Sequence, residues 1–340
     1  MTGGAAHLAI RLRHVTHRFG ASVAVDDLSL DVPAGEIFGF IGPNGAGKTT
    51  TIRIMATLLE PSSGKVEIDG IDAIDDPVGV RRALGYMPDH AGVYERITVR
   101  EYLEFFAVAA GVGGRGPIDA AVELTNLGAL EDQLVATLSK GMRQRLGLAR
   151  VLLHEPKVLV LDEPASDLDP RARIEMRDLL IELSTLGKTI FLSSHILSEL
   201  EDICTSVGIL EHGRLLISGP LATIGAGRLS AALQHDAGGS PALVGSATST
   251  PVMPALGRRV RLRVLGEAAD HLALLRASAG VHAVEANAGG WLAVEHGGDE
   301  RLVAGLVRTL VLAGAEVVAV EPERVELERL FMEVTKGRTS

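Results

Sequence analysis

The chain has 340 residues, enough for two domains or one large and one small. A net charge of −10 and a pI near 5.6 argue against a broad electrostatic grip on nucleic acid, which needs clustered Lys and Arg. Hydrophobic residues make up 46% but aromatics only 3%, so aliphatic side chains and Ala must fill the cores. The single cysteine, Cys204, allows no intrachain disulfide, suits a reducing cytosol, and lies in an apolar stretch as a small core residue. Residues 1–10 lack the basic and long apolar regions of a signal peptide. No uncharged run approaches the roughly 20 apolar residues that span a bilayer. The nearest, 303–320, contains Arg308 and Glu316 and is broken by Gly314, so it reads as a core-facing helix followed by a strand. The chain is expected to be soluble and to meet any membrane through a partner.

In chain order, strands are predicted at 8–15 and 24–32, the second containing a turn at Asp26-Asp27. An apolar strand at 36–41 leads into Gly42-Pro43-Asn44-Gly45-Ala46-Gly47-Lys48-Thr49, and helical spacing follows at 50–59 through Ile52, Met55, Ala56 and Leu59. The segment fits G-x-x-x-x-G-K-[ST], the phosphate-binding loop of nucleotide triphosphatases, in its strand–loop–helix context. Its glycines leave room for backbone N–H groups to wrap a phosphate chain, and the helix N-terminus adds positive partial charge. Lys48 would reach the outer phosphates, the Thr49 hydroxyl would sit on Mg²⁺, and Thr50 continues the phosphate-binding set. Eight residues alone are also compatible with a Gly-rich turn.

Further on, 66–68 reads as a short strand, 81–88 as a lead into a loop, and 99–111 and 117–127 as helices. Residues 157–161 form an apolar run typical of a buried parallel strand. Helices at 171–186 and 194–204 flank a strand at 189–193, giving the alternation of an α/β core with a mainly parallel sheet. Residues 236–256 are rich in Gly, Ala, Ser, Thr and Pro, the composition of a linker. Beyond it the pattern is strand 259–265, helix 267–277, a hairpin of 281–286 and 291–294 around Ala288-Gly289-Gly290, helix 300–313, strand 316–320 and helix 325–335. This is the β-α-β-β-α-β order of a ferredoxin-like module. The expected division is 8–225 for the first domain, 226–258 for the linker and 259–336 for the second.

The run Val158-Leu159-Val160-Leu161-Asp162-Glu163-Pro164 supplies what a phosphate loop needs next. Asp162 at the strand tip can hold the Mg²⁺ shell, and Glu163 can orient and deprotonate an attacking water. By itself it would be a core strand with an acidic turn. Ahead of it lies Leu138-Ser139-Lys140-Gly141-Met142-Arg143-Gln144, where Ser139 also reads as an N-cap for a helix at 142–153.

With these three segments in order, the chain resembles the ATP-binding subunit of an ABC transporter, a family marked by an L-S-G-G-Q signature between its two phosphate-loop motifs. Ser139 and Gly141 match the signature, whereas Lys140 replaces its first Gly and Met142 stands at its Gln. The resemblance extends to Phe19 as the aromatic that stacks on adenine. It also extends to Ser166-Asp167-Leu168-Asp169 as the loop crossing a dimer, with Asp167 at a common Gly, and to His195 as the switch histidine at the γ-phosphate. Asp89 after Gly85-Tyr86-Met87-Pro88 stands where the family usually has a Gln that touches Mg²⁺. The segment 327–335, with its Leu-Glu-Arg-Leu-Phe run, resembles the C-terminal extension of bacterial drug-, polysaccharide- and lipid-exporter ATPases, which implies a regulatory or dimer-contact role for the second domain.

The resemblance implies a P-loop NTPase fold: a parallel sheet with N-terminal antiparallel strands and a helical subdomain, then the small α+β module. It implies ATP and Mg²⁺ as ligands, head-to-tail pairing with a second copy, and a separate multi-span permease that holds the chain at the cytoplasmic face of the membrane. Two rivals are an ABC ATPase acting on nucleic acid or ribosomes, and a nucleotide sensor without turnover. The first usually carries two cassettes or long coiled-coil insertions, neither of which is present here.

Overall fold

The computed structural model describes residues 7–89, 92–224, 258–297, 300–322 and 331. These fall into two compact units, one ending at Ser218 and one beginning at Gly219.

The first unit opens with β1 (Leu8–Phe19) and β2 (Ser22–Pro33), an antiparallel pair. Both strands are longer than their sequence pattern suggests. Asp26-Asp27 is not a turn: the chain reverses at Gly20, with φ +59, while Asp27 takes φ +54 inside β2 where the register shifts. A β-bulge of this kind absorbs an extra residue without ending the strand. The bulge is held because the Asp27 N–H donates to Thr16 Oγ1 and the Asp26 N–H donates to the Gly213 carbonyl. With β4 (Ser63–Ile68) and β5 (Ile71–Asp72) these strands form a four-stranded sheet in the order β2-β1-β4-β5.

The second sheet carries the chemistry. It has the order β10-β9-β3-β8-β7-β6, built from β3 (Ile37–Ile41), β6 (Leu84–Met87), β7 (Val158–Asp162), β8 (Thr189–Ser194), β9 (Ser206–Glu211) and β10 (Arg214–Pro220). The β3–β8, β3–β9, β7–β8 and β6–β7 pairs are parallel. β3, β7, β8 and β9 are buried at every position, as expected for strands covered on both faces. Phe38 and Phe40 of β3 pack on Phe191 of β8, with ring centroids 5.4 and 5.1 Å apart. Gly39 lies between them because a Cβ there would come within 2.8 Å of Cys204 Sγ. Burial pushes the Cys204 thiol well above its ordinary pKa.

Four expectations change here. Residues 81–88 do not run straight into a loop: α2 (Pro77–Ala83), capped by the Asp76 side chain, passes directly into β6. The helix expected at 194–204 is only α7 (Leu197–Glu201), since Ser194 still belongs to β8. β9 and β10 follow it without having been anticipated. α1 (Lys48–Met55) starts two residues before the expected 50–59 and ends four residues short of it, since Thr57 takes φ +58, whereas α3 (Val99–Ala109), α4 (Gly116–Leu124), α5 (Lys140–Leu152) and α6 (Pro170–Thr185) match closely. α3 starts at a capping box in which Thr98 and Glu101 satisfy each other's backbone N–H groups.

In the second unit β11 (Arg258–Val264), β12 (Val281–Asn287), β13 (Trp291–His296) and β14 (Val317–Pro322) form an antiparallel sheet in the order β12-β13-β11-β14. That is the strand order of the ferredoxin-like module expected from the β-α-β-β-α-β pattern. Leu306 and Leu310 of the helix Glu300–Leu312 and Leu275 of the helix Leu272–Arg276 share a core with Val260, Leu262, Leu292 and Val294. The linker proposed over 226–258 lies outside the described residues apart from Arg258, which opens β11. The helix expected at 325–335 also lies outside them, apart from residue 331.

Candidate functional site

Four neighbouring parallel strands, β3, β8, β7 and β6, end at one edge of the second sheet. The carboxyl edge of such a sheet is where ligands of open α/β folds bind. Each strand delivers part of the site: the phosphate loop after β3, Asp162 and Glu163 from β7, His195 just after β8, and Asp89 after β6. These groups line a pocket of about 380 Å³ together with Ala24, Pro43, Asn44, Gly45, Gly47, Lys48, Thr49, Thr50, Ser166 and Asp167.

The loop is shaped by contacts that only Gly permits. A Cβ on Gly42 would lie 2.4 Å from the Leu210 carbonyl oxygen, and one on Gly47, at φ +107, would lie 2.4 Å from that of Ala24. The Gly213 N–H donates to the Ala46 carbonyl at 2.8 Å and braces the loop from behind. Gly42 and Ala46 therefore form the floor, while their neighbours face the pocket. α1 has Gly47 as its N-cap, with no side-chain cap and no acidic residue in its first turn, so its first N–H groups are available to an anion.

Lys48 is buried, and its ammonium donates to the Gly42 carbonyl at 2.6 Å. It also lies 3.8 Å from Glu163 Oε1. Burial lowers its pKa, against the opposing pull of Glu163 and Asp162. Asp162 is buried, and Ser193 Oγ donates to its Oδ1 at 2.7 Å. The same Ser193 oxygen accepts the Glu163 N–H at 3.0 Å, so one hydroxyl positions both acidic residues. Glu163 takes φ +51, a left-handed conformation that turns its side chain out of the strand direction. Its Oε2 meets His195 Nδ1 at 2.7 Å. A carboxylate only accepts, so Nδ1 carries the proton. A bond from Nε2 to a phosphate oxygen then requires the imidazolium form.

Asp89 Oδ1 accepts from Ser166 Oγ at 3.0 Å. Ser193 and Ala24 carry no role in the sequence reading, and Ser166 enters it only as part of the Ser-Asp-Leu-Asp loop. Ser193 lies two residues before His195 and Ser166 lies in the Ser-Asp-Leu-Asp run, so proximity to those residues is the available signal. Phe19 is brought to the β1–β2 reversal, is 54% exposed, and stacks edge-on against His17 at 4.5 Å. It does not line the pocket, although Ala24 of the same hairpin does. Ser139 and Gly141 are likewise outside the pocket of their own chain.

Ser139 caps α5 by accepting the Met142 N–H at 3.3 Å. Gly141 has a packing reason of its own: a Cβ there would stand 2.7 Å from Ala172 Cβ on α6. Gly141→Ala should therefore destabilise the fold by about 1–3 kcal/mol through overpacking. Denaturant melts should show the loss, and adding Ala172→Gly should recover most of it. A Gly141→Ala protein as stable as the parent would remove this contact as the reason for the glycine.

The family model for ABC transporter matches residues 25–166. The bacitracin transport ATP-binding protein BcrA of Bacillus licheniformis is 42% identical over 208 residues, covering 61% of this chain and 68% of that protein. The chain belongs to the ABC transporter ATP-binding family. It is an ATP-binding, ATP-hydrolysing subunit with the ABC-type P-loop fold. Another member, the daunorubicin/doxorubicin resistance ATP-binding protein DrrA of Streptomyces peucetius, is 37% identical over 214 residues, covering 62% of this chain and 65% of that one. A solved ATP-binding subunit of an ABC transporter superposes with a TM-score of 0.59 at 31% identity, over 68% of this chain and 95% of that structure. Among the described residues no helix is long and apolar enough to cross a membrane.

Proposed function

We propose that this ABC ATPase subunit powers export through a separate membrane permease, working as a head-to-tail pair of copies at the cytoplasmic face of the membrane. The observation that carries the reading is the convergence of Lys48, Asp162, Glu163 and His195 on one pocket, with Glu163 held by His195 on one side and Lys48 on the other. A relative named for Nod factor export supports the direction of transport, and relatives named for bacitracin transport and daunorubicin resistance support a role in transport.

In this reading the phosphate loop binds ATP through its backbone, Lys48 clamps the outer phosphates, and Glu163 accepts a proton from the attacking water. Thr49, Asp162 and Asp89 present only oxygen donors, the chemistry Mg²⁺ prefers. Mg²⁺ is usually bound by one or two carboxylates together with waters and phosphates rather than by an all-protein cage. Mg²⁺ held there would neutralise negative charge on the outer phosphates. Phe19 would stack on the base, and Ser139 and Gly141 would serve the pocket of the partner copy. We assign 8–225 to the ATPase domain, 226–258 to a linker and 259–336 to an accessory domain.

Purifying the chain from membranes tests the whole reading. A co-purifying multi-span protein and ATP-dependent pairing are expected, whereas co-sedimentation with ribosomes would replace the reading with a nucleic-acid role. Asp89 gives a finer test. Its carboxylate cannot donate as the usual Gln does, and it adds negative charge near the phosphates. Asp89→Gln should change the ATPase rate and shift its Mg²⁺ dependence to higher concentration, because an amide oxygen holds a hard cation more weakly than a carboxylate. Profiles identical to the parent's would place Asp89 outside the reaction.

A further inference from the structure

The two positions where the chain most visibly departs from the signature and the dimer-crossing loop are in contact with each other. Lys140 Nζ donates to Asp167 Oδ2 at 2.9 Å, across 27 residues of sequence. Lys140 is the first residue of α5, directly after the Ser139 cap. Asp167 sits at φ +53, in the left-handed region that glycine favours, and lines the nucleotide pocket of its own chain. An acidic side chain at this strained position is placed to meet the ammonium.

The contact extends at both ends. Ser166, the neighbour of Asp167, donates from its Oγ to Asp89 at 3.0 Å, and its N–H donates to the Glu163 carbonyl at 3.1 Å. The Asp-Glu strand end and Asp89 thus hold one end of the short loop at 163–168. At the other end Asp169 caps α6 by accepting the Arg171 and Ala172 N–H groups at 3.0 and 2.9 Å. Ala172 is the residue against which Gly141 of the signature packs with no room for a Cβ. The loop is therefore joined to the signature turn twice, by the ion pair and by close packing of α5 on α6.

We propose that the Lys140–Asp167 pair couples the two nucleotide sites of a pair of copies. Resting on the head-to-tail reading above, it transmits the position of Asp89 and Glu163 in one pocket to the Ser139–Gly141 turn that the same chain offers to the other copy. Lys140 and Asp167 are positioning residues: they act through Ser139 and Ser166 rather than on the phosphate. The exposed pair has modest strength, so its loss should alter coupling by about two- to five-fold rather than abolish turnover.

The test measures ATPase rate against ATP concentration, with ATP-dependent pairing read by light scattering. The parent is compared with Lys140→Gln, with Asp167→Asn and with the charge-exchanged double variant Lys140→Asp plus Asp167→Lys. Each single variant should lower the Hill coefficient toward 1 and weaken ATP-dependent pairing by about two- to five-fold, and the exchanged pair should recover both. Single variants that keep the parent's cooperativity would overturn the proposal. So would an exchanged pair whose defect is the sum of the two singles, since charge exchange restores an ion pair but not a lysine that contacts phosphate directly. A parent that turns over ATP without cooperativity or pairing would instead refute the head-to-tail reading itself, which separates the two failures.

Discussion

Glu163→Gln should leave ATP bound and unhydrolysed, with the chains accumulating as ATP-dependent pairs. The amide keeps an oxygen that can accept from His195 Nδ1 at the 2.7 Å now seen, so the local geometry survives. What it loses is the basic carboxylate that takes the proton from water, and a positioned general base contributes roughly 10²- to 10⁴-fold. The ATPase rate should fall by that factor. The charge change has a second effect: the substitution removes one negative group beside the phosphates and the 3.8 Å attraction between Glu163 and Lys48, which favours retention of the anionic nucleotide. Size-exclusion chromatography with ATP should show the trapped pair. A Glu163→Gln protein that stays monomeric and hydrolyses at the parent rate would reassign the base.

Lys48→Ala should act on binding rather than on the later step. The ammonium is buried, and its lowered pKa reports that burial is costly to the charged form despite the nearby carboxylates. Such a residue is retained for a ligand more than for the fold. Removing it leaves Asp162 and Glu163 facing the phosphates without their nearest cation, at a cost of about 2–5 kcal/mol, or roughly 30-fold or more in ATP affinity. The thermal melt should be nearly unchanged, because the substitution also relieves the desolvation of Lys48. Equal ATP affinity by titration calorimetry in parent and variant would rule out the phosphate-clamp role.

The parts of the site that were legible in the sequence are those enforced by local backbone chemistry. Gly42 and Gly47 are required by carbonyl oxygens 2.4 Å from any added Cβ, so the loop pattern is also a steric requirement. Asp162 ends and Glu163 follows an all-buried strand whose apolar run has few other readings. The βαββαβ module was readable because each of its turns carries Gly or Asn. What was not legible depends on contacts between distant segments. β6 has four residues and follows α2 with no turn residue between them, and only pairing with β7 makes it a strand. The true extent of β2 was hidden because Asp26 and Asp27 look like a turn until Gly213 and Thr16 are seen to satisfy their backbone. Lys140 and Asp167 looked like two separate departures from a pattern, and only the fold shows them to be one ion pair.

The packing of Cys204 against Gly39 has a practical consequence. A thiol reacts with maleimides and disulfide reagents through its thiolate, and this one is both enclosed and held protonated by its surroundings. The native protein should therefore stay unlabelled under conditions that modify an exposed cysteine within minutes. A spectroscopic probe could be placed at a solvent-facing position such as Leu186, which is 58% exposed, by Leu186→Cys in an otherwise unaltered chain. The motions of the ATPase cycle would then be open to distance measurement without first engineering a cysteine-free background.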